Sequence, residues 1–594
     1  MSNFDVVNPV PAFKLNGSTA QPEWMSKLMD CRVELPLNAP ARATLRFYDP
    51  DFLMLDAADF DIAKSLQVLF PTSTGDLSTV IDGEITAIAV EQGPEGGHEL
   101  VVTALDLSHR LGRMTETKTY LQQSHADIVR TLVQAQGMTA SIAGLGTTAL
   151  PYVLQTNDAA AFVTDITGRA GAQWRVDGKK LCIFKPPQVS SPVATLTWGE
   201  DLYNFRTRFS PTEWTDGVVV RGWDPASKAA ISATAATSTP AFLTTAPLAT
   251  AGRTKAKSMG SAARSTNGTL VTSQAEAQLL ADSYYTRAAS VEIVARGETA
   301  GNPAIVPGAM VKLAGVGTRL AGNYYVTEVE HIFSTHGMRT RFVTGSMTPS
   351  TIGDLAASRR SSGNLGVVIG LVSNINDPDG AGRVKVKFPS AGDNIESDWA
   401  RVVMPASGAG RGFLMFPSVD DEVLVMFEQG DTRRAFVVGG VWNGKDKTPM
   451  TKDMIVANGE VKQWGMVTPG GHSLLFRDDE SGKERLDIIL KDGKTKLTLG
   501  AHTVELVANQ KPLKIESGQG SLVISEQGDV TIKGNKVTIT ATQDLKMSGL
   551  NVEANAQTGM KVVGGTTTEV SANAQLSLKS SGITEVKGTM VKVN

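Results

Sequence analysis

GDVTIKGNKVTITATQDLKMSG, Gly528 to Gly549, decides how the carboxyl-terminal part of this chain folds. Apolar side chains sit on alternate positions in short bursts, Val530 and Ile532, Val537 and Ile539, Leu545 and Met547, and each burst starts seven or eight residues after the last. Gly, Asn, Asp and Lys fill the gaps. A period of two within a burst predicts a strand with one buried face, and breaks at a fixed interval predict a chain that turns regularly, so the segment is a repeat. Its apolar residues are all aliphatic: Phe476 is the last Phe, Trp or Tyr of the chain.

A globular core between layers about 10 Å apart normally draws on large side chains to fill it. The ribbon from residue 495 to 594 has none, and its aliphatic residues alone cannot offset the conformational entropy of ordering it. The missing stabilisation has to come from backbone pairing with other copies, which also protects the strand edges. Three ribbons wound about one axis would enclose a narrow aliphatic interior, with Val530, Ile532, Val537, Ile539, Leu545 and Met547 as the expected interior residues. A single-chain β-solenoid would be wider and would call for stacked aromatics or Asn ladders inside.

Other features bound the rest of the 594-residue chain. Its length predicts three or more domains. A formal net charge of -3 argues against a nucleic-acid partner. Cys31 and Cys182 are too few for a disulfide framework and are expected as buried, inert thiols. The amino end reads MSNFDVVNPVPAFKLNG, without a basic or an apolar leader segment, so no signal peptide is expected. No apolar run approaches the roughly 20 residues that span a bilayer.

From the start to about residue 350, strands mix with well-marked helices. Ser124 and Asp127 open a helix closed by Gly137, NDAAAFVTDITGRAG is a second helix, and Ser273 with Glu276 opens a third carrying Leu280 and Tyr284. Asp177-Gly178 reads as a type I′ hairpin turn. The Ala-, Thr- and Ser-rich stretch 226–270 reads as a long surface loop or insertion. A polar stretch over 351–365 is the expected linker. Between 366 and 445, GVVIGLVSN, GRVKVKF, DWARVVM, GFLMFP, DEVLVMFEQ and RAFVVGGVW predict five or six strands in a small closed barrel of the oligonucleotide/oligosaccharide-binding (OB) type. The expected organisation is a hub over 1–350, the linker, an OB-fold barrel over 366–450, a neck over 451–494 and a needle over 495–594. The fold class is mainly β with some α: β-barrel hub domains, the OB barrel, and a triple-stranded β-helix (β-prism) formed by a homotrimer.

These residues resemble a spike protein of contractile injection systems, the VgrG type, in which phage hub and tail spike are fused in one chain. The resemblance is carried by NDPDGAGRVKVKFP (376–389), DWARVVMPASGAGRGFLMFPSVDDEVLVMFEQGD (398–431), RAFVVGGVWNGKDKTP (434–449), GHSLLFRDDESGKERL (471–486) and, for the hub, VPGAMVKLAGVGTRLAGNYYVTEVEHIFSTHGMRTRF (306–342). The amino-terminal hundred residues look closer to phage-like extracellular systems than to a typical type VI secretion VgrG. No muramidase-like segment follows the barrel, so the chain looks like a bare delivery device. The resemblance implies a membrane-puncturing spike assembled in the bacterial cytoplasm, in a particle that is then released or docked on a membrane. Its partners would be inner-tube initiator and baseplate proteins at the hub, effector cargo, and a PAAR-type tip protein seated on Met590, Val591, Lys592, Val593 and Asn594. The target membrane would be contacted mechanically.

No catalytic, cofactor-binding or metal-binding residue is assigned. None of the seven histidines lies in HExxH or a Cys/His cluster, GxSxG is absent, and SGAGRG at 407–412 is followed by FLMF, read as a strand, where a phosphate loop needs a helix. Asp377 and Asp379 mark a turn. Eight Lys and Arg against ten Asp and Glu over 366–445 argue against nucleic acid on the barrel. Glu328 and Glu330 share a strand face with no spacing that selects a glycosidase pair. The rival readings are a contractile phage baseplate hub and tail spike, and a β-solenoid polysaccharide-degrading enzyme.

Overall fold

A computed structural model describes residues 10–593 except 58, 93–96, 188–190, 211–214, 237–243, 257, 259–263, 267–269, 291–292, 346–365 and 479–480. The expected linker 351–365 and Asn594 lie outside the described residues. The chain divides into two compact units, Met1–Thr448 and Pro449–Asn594.

In the first unit thirteen strands form one sheet. Its centre joins the two ends of the hub: Leu28–Pro36 pairs antiparallel with Gly322–Ser334, and on its other side with Arg42–Tyr48. Alternation explains the placement. Cys31, Val33 and Leu35 are buried beside Ala43, Leu45 and Phe47, while the intervening residues face out. There they form ion pairs, Arg42 with Glu34 at 2.5 Å, Arg46 with Glu99 at 2.8 Å and Arg32 with Glu330 at 3.2 Å. Among the described residues thirteen of the hub strands form this large sheet, and the others form smaller sheets of two or three strands.

Two excursions leave this sheet. The first begins where Asp106 accepts from the backbone N–H and the hydroxyl of Ser108 and from the N–H of Ala41. It carries helices His125–Gln134 and Ala159–Arg169 over a three-stranded sheet. Both helices start as the sequence requires, Ser124 Oγ accepting from Asp127 N–H at 3.2 Å and Asp158 from Ala161 N–H at 2.9 Å. Gly137 takes the left-handed conformation at φ +73°. The hairpin there is shifted by one residue from expectation: Asp177 pairs with Lys180, so Gly178 and Lys179 form the loop. Only Gly178 is left-handed, at φ +58°, which is the type II′ arrangement with glycine first.

The second excursion packs Gly217–Asp224 and Ala229–Ala236 under the helix Gln274–Ser290, with Leu280 buried. Among its described residues, the stretch 226–270 expected as a surface loop holds the strand Ala229–Ala236, the helix Pro247–Ala256 and the short strand Arg264–Thr266. Ile231, Ala233 and Ala235 alternate inward, a strand signal muted because alanine is a small core residue.

The barrel closes with five strands, Val367–Asn374, Arg383–Lys387, Ala400–Val402, Ala435–Gly440 and Glu422–Phe427. Val384, Val386, Phe388, Val423, Val425 and Val437 fill it, and Tyr152 and Leu154 of the first excursion belong to the same cluster. GFLMFP is not a sixth strand: Phe413, Leu414 and Met415 are exposed, because the five paired strands leave no edge for it to join.

Cys31 and Cys182 are buried, and burial pushes both thiols up. His331 is fully buried in the large sheet with Nδ1 3.0 Å from Thr340 Oγ1, and burial depresses it to about 4. The unfolded chain takes up that proton below about pH 6.5. The stability contributed by a neutral His331 is therefore intact above pH 6.5 and lost as pH falls toward about 4. Melting temperatures recorded across that window should fall with acidity, and His331→Gln should make the decline shallower.

Candidate functional site

After a short helix, Lys452–Ile455, and the small hairpin Val456–Ala457 with Glu460–Val461, two sheets and a ribbon make up the described part of the second unit. The first sheet is a five-stranded meander, Gln463–Val467, Ser473–Arg477, Arg485–Ile489, Lys496–Gly500 and Val504–Val507, and it runs across residues 494 and 495 without a break. Its register lines up Trp464, Phe476, Leu486, Leu499 and Val504 in one cross-strand row, and Met466, Leu474, Ile488, Leu497 and Leu506 in the next on the same face. That face is apolar throughout, yet Trp464 is 65% exposed and Val504 75%. The opposite face holds the polar groups: Arg477 pairs with Asp487 at 2.7 Å, Asp487 accepts from Thr498 Oγ1 at 2.8 Å, and Asp487 and Thr498 are buried.

The three-stranded sheet Leu513–Ser517, Gly520–Ile524 and Val530–Lys533 repeats the arrangement. Leu513, Ile524 and Val530 share one row, Ile515, Leu522 and Ile532 the next. Val530 and Ile532 thus lie on a common apolar face that is open in the single chain.

Beyond Lys533 the chain bends at Asn535, 542–543, Leu550, 557–558, 565–566, 573–574, 581–582 and 589–590, which is the seven- or eight-residue interval expected from the repeat. Strand pairing within the chain stops there, unlike the continuous strands that alternation alone suggests. Among the described residues 534–593, no backbone-to-backbone hydrogen bond forms within the chain. An extended segment can form a ladder only against a neighbour, and successive straight runs here do not fold back on one another. Alternation persists all the same. Leu545 and Met547 are interleaved with the Asp544–Lys546 ion pair, and Val586 lies between the paired Glu585 and Lys587. Val537, Ile539, Leu545, Met547, Met590, Val591 and Val593 are all exposed in the isolated chain.

The other sequence motifs resolve into structural parts. Asp377 accepts from the backbone N–H groups of Asp379, Ala381 and Arg383, and the Arg383 guanidinium holds its carboxyl well below the usual carboxylate range, so it pins a turn. Ser407–Gly408 and Arg411–Gly412 form a two-stranded hairpin in SGAGRG, with no helix after it. Glu330 is engaged by Arg32 and Arg341. Among the described residues no group of three or more His, Cys, Asp and Glu is arranged to hold a metal ion, and no helix is long and apolar enough to cross a membrane. The apolar face of the five-stranded meander went unread in the sequence, although each of its strands alternates. The arrangement as a whole has the chemistry of a surface for strand pairing and apolar packing.

Residues 29–335 match the family described as the Alg8 N-terminal domain, slightly more than half of the chain. Residues 368–442 match the type VI secretion system/phage-baseplate injector OB domain. The actin cross-linking toxin VgrG1 of Vibrio cholerae is 29% identical over 179 residues, 27% of this chain and 15% of that protein. The type VI secretion system spike protein VgrG4b of Pseudomonas aeruginosa is 30% identical over 112 residues, 18% of this chain and 14% of its own length. The chain therefore spans about 15% of the length of the curated relatives it matches. Among solved structures, the E. coli c3393 protein, described as a type VI secretion component similar to the T4 tail proteins gp27 and gp5, aligns with a TM-score of 0.44 at 14% identity, over 72% of this chain and 99% of its own. A Francisella PdpA–VgrG complex aligns with a TM-score of 0.46 at 8% identity, over 88% of this chain and 87% of its own. The VgrG-type spikes to which the sequence is similar are thus among its relatives.

Asp487→Ala would leave Arg477 beside an emptied polar face. It should lower the unfolding free energy of the meander by about 2–4 kcal/mol, read by denaturant-dependent amide exchange in the strand Arg485–Ile489.

Proposed function

This chain belongs to the Alg8 N-terminal domain family, and on that premise we propose that it is the homotrimeric central hub and puncturing spike of a phage-like contractile injection system. The observation behind this reading is the ribbon over 534–593: alternating, evenly bent, and without a backbone partner in its own chain. Three such ribbons about one axis supply each other's ladder and enclose the aliphatic side chains, with Val530, Ile532, Val537, Ile539, Leu545 and Met547 turned inward.

In this role the chain is a machine part rather than an enzyme. Contraction of a sheath made by other proteins supplies the work, and the spike's task is to stay rigid while it crosses a target envelope. Rigidity follows from interchain ladders, since opening one strand exposes several hydrogen-bonding groups together. The exposed Met590, Val591, Lys592 and Val593, with Asn594 beyond the described residues, would seat a PAAR-type tip protein. The hub would meet baseplate and inner-tube proteins, and effectors would travel with the spike. The OB-domain family covers both type VI secretion and phage baseplates. Capsid genes beside this one would place it in a virion, and an AAA+ ATPase with toxins would place it in an injection system.

Sedimentation with light scattering on the full chain should return three times its mass of 62.9 kDa, and a monomer would overturn the reading. Ile583, 91% exposed in the single chain, gives a sharper test. On an unpartnered ribbon Ile583→Asp stays within about ±0.5 kcal/mol. In a trimer it brings three carboxylates together in an apolar interior, and the assembly should dissociate at a lower temperature while hub and barrel keep theirs.

A further inference from the structure

The barrel follows the large hub sheet in sequence, but its polar contacts run elsewhere. They go to the two excursions. Arg433, in the turn between barrel strands Glu422–Phe427 and Ala435–Gly440, reaches Glu276 at 3.0 Å, Asp431 at 2.8 Å and the carbonyl oxygen of Leu270 at 3.4 Å. Arg169, at the end of helix Ala159–Arg169, reaches the same three acceptors: Glu276 at 3.0 Å, the Leu270 carbonyl at 3.0 Å and Asp431 at 3.7 Å. Glu276 lies in the first turn of helix Gln274–Ser290, and its second carboxylate oxygen is held by the N–H and hydroxyl of Thr272 at 2.9 and 2.8 Å. Ser283 Oγ donates to the Gly168 carbonyl at 2.7 Å, which fixes the two helices to each other.

We propose that the two excursions form a bracket for the barrel, and that Arg433 is the keystone that locks the barrel into it. The two guanidiniums balance the two carboxylates they touch, and the neighbouring Asp165, whose carboxyl burial pushes up, and His125 also face the cluster, so it can be sheltered from water. The side chains of Asp431 and Arg433 are only 13% and 17% exposed. The planar guanidinium forks between the barrel's own Asp431 and the helix-borne Glu276, a span that a lysine ammonium cannot cover in the same geometry. Tyr152 and Leu154 complete the seat from the first excursion, where they join the barrel core. The polar lock and the apolar seat hold the small barrel through different residues, so they restrain its orientation as well as its position.

The bracket's role as a load path between hub and spike rests on the function proposed above; the lock itself does not. Full-length Arg433→Met, Arg433→Lys and Glu276→Gln chains, alone and combined, test it. In the unmodified chain the barrel and the excursions should melt together. Arg433→Met should release the barrel as a separate, earlier transition and raise amide exchange at 270–276 and at Asp431 by roughly tenfold or more, with exchange in the strand Leu28–Pro36 unchanged. Adding Glu276→Gln should then cost less than it does alone, and Arg433→Lys should fall between. If Arg433→Met prevents folding, the Lys variant and Glu276→Gln complete the cycle. Strictly additive effects, or unchanged exchange at 270–276, overturn the lock. A monomeric chain that still shows the coupling would sink the spike reading and leave the lock standing; a trimer without the coupling would do the reverse.

Discussion

An extended backbone carries a donor and an acceptor at nearly every residue, and these must find partners wherever water is excluded. That requirement separates the two units of this chain. In the first, each long strand pairs with a neighbour from the same chain, so the large sheet and the small barrel satisfy themselves. In the second, self-pairing ends at Lys533, and sixty residues continue in straight runs with alternating apolar and polar side chains and no ladder of their own. The unpartnered ribbon and the two apolar sheet faces before it pose the same problem, and the proposed trimer would answer both in the same way.

The first unit solves a different problem, that of holding a small closed barrel in a defined orientation. A barrel without free edges cannot be attached by extending a sheet. It can be held only through side chains, and here they come from excursions more than a hundred residues upstream. Apolar residues of one excursion enter the barrel core, and arginines from both partners share one set of acceptors. The ion pairs on the outer face of the large sheet are of another kind, exposed where Arg42 meets Glu34 and half-buried where Arg46 meets Glu99.

Much of this was legible in the residues. Helix starts at Ser124 and Ser273 followed from side chains that bond the first free N–H groups, and the five barrel strands followed from alternation. The interval of the bends followed from the spacing of the aliphatic bursts. What went unread has a common cause, weak contrast between core and surface side chains. Ala229–Ala236 alternates alanine with small polar residues, so its buried face is inconspicuous. Phe413, Leu414 and Met415 are as apolar as any strand of the barrel, and only the lack of a free edge keeps them out of it. The hairpin at Gly178 turns one residue later than its dipeptide suggests, because strand pairing sets the register.

The sequence by itself determined the local periods, the turn positions and the leanness of the ribbon, because these depend on near neighbours and on composition. Tertiary structure alone decided which distant groups meet: Leu28–Pro36 against Gly322–Ser334, Tyr152 inside the barrel cluster, Arg433 between Asp431 and Glu276. Such contacts depend on how whole elements stack. No local pattern encodes them, since an arginine that will be sheltered in a shared ion cluster reads the same in the chain as one that will face water.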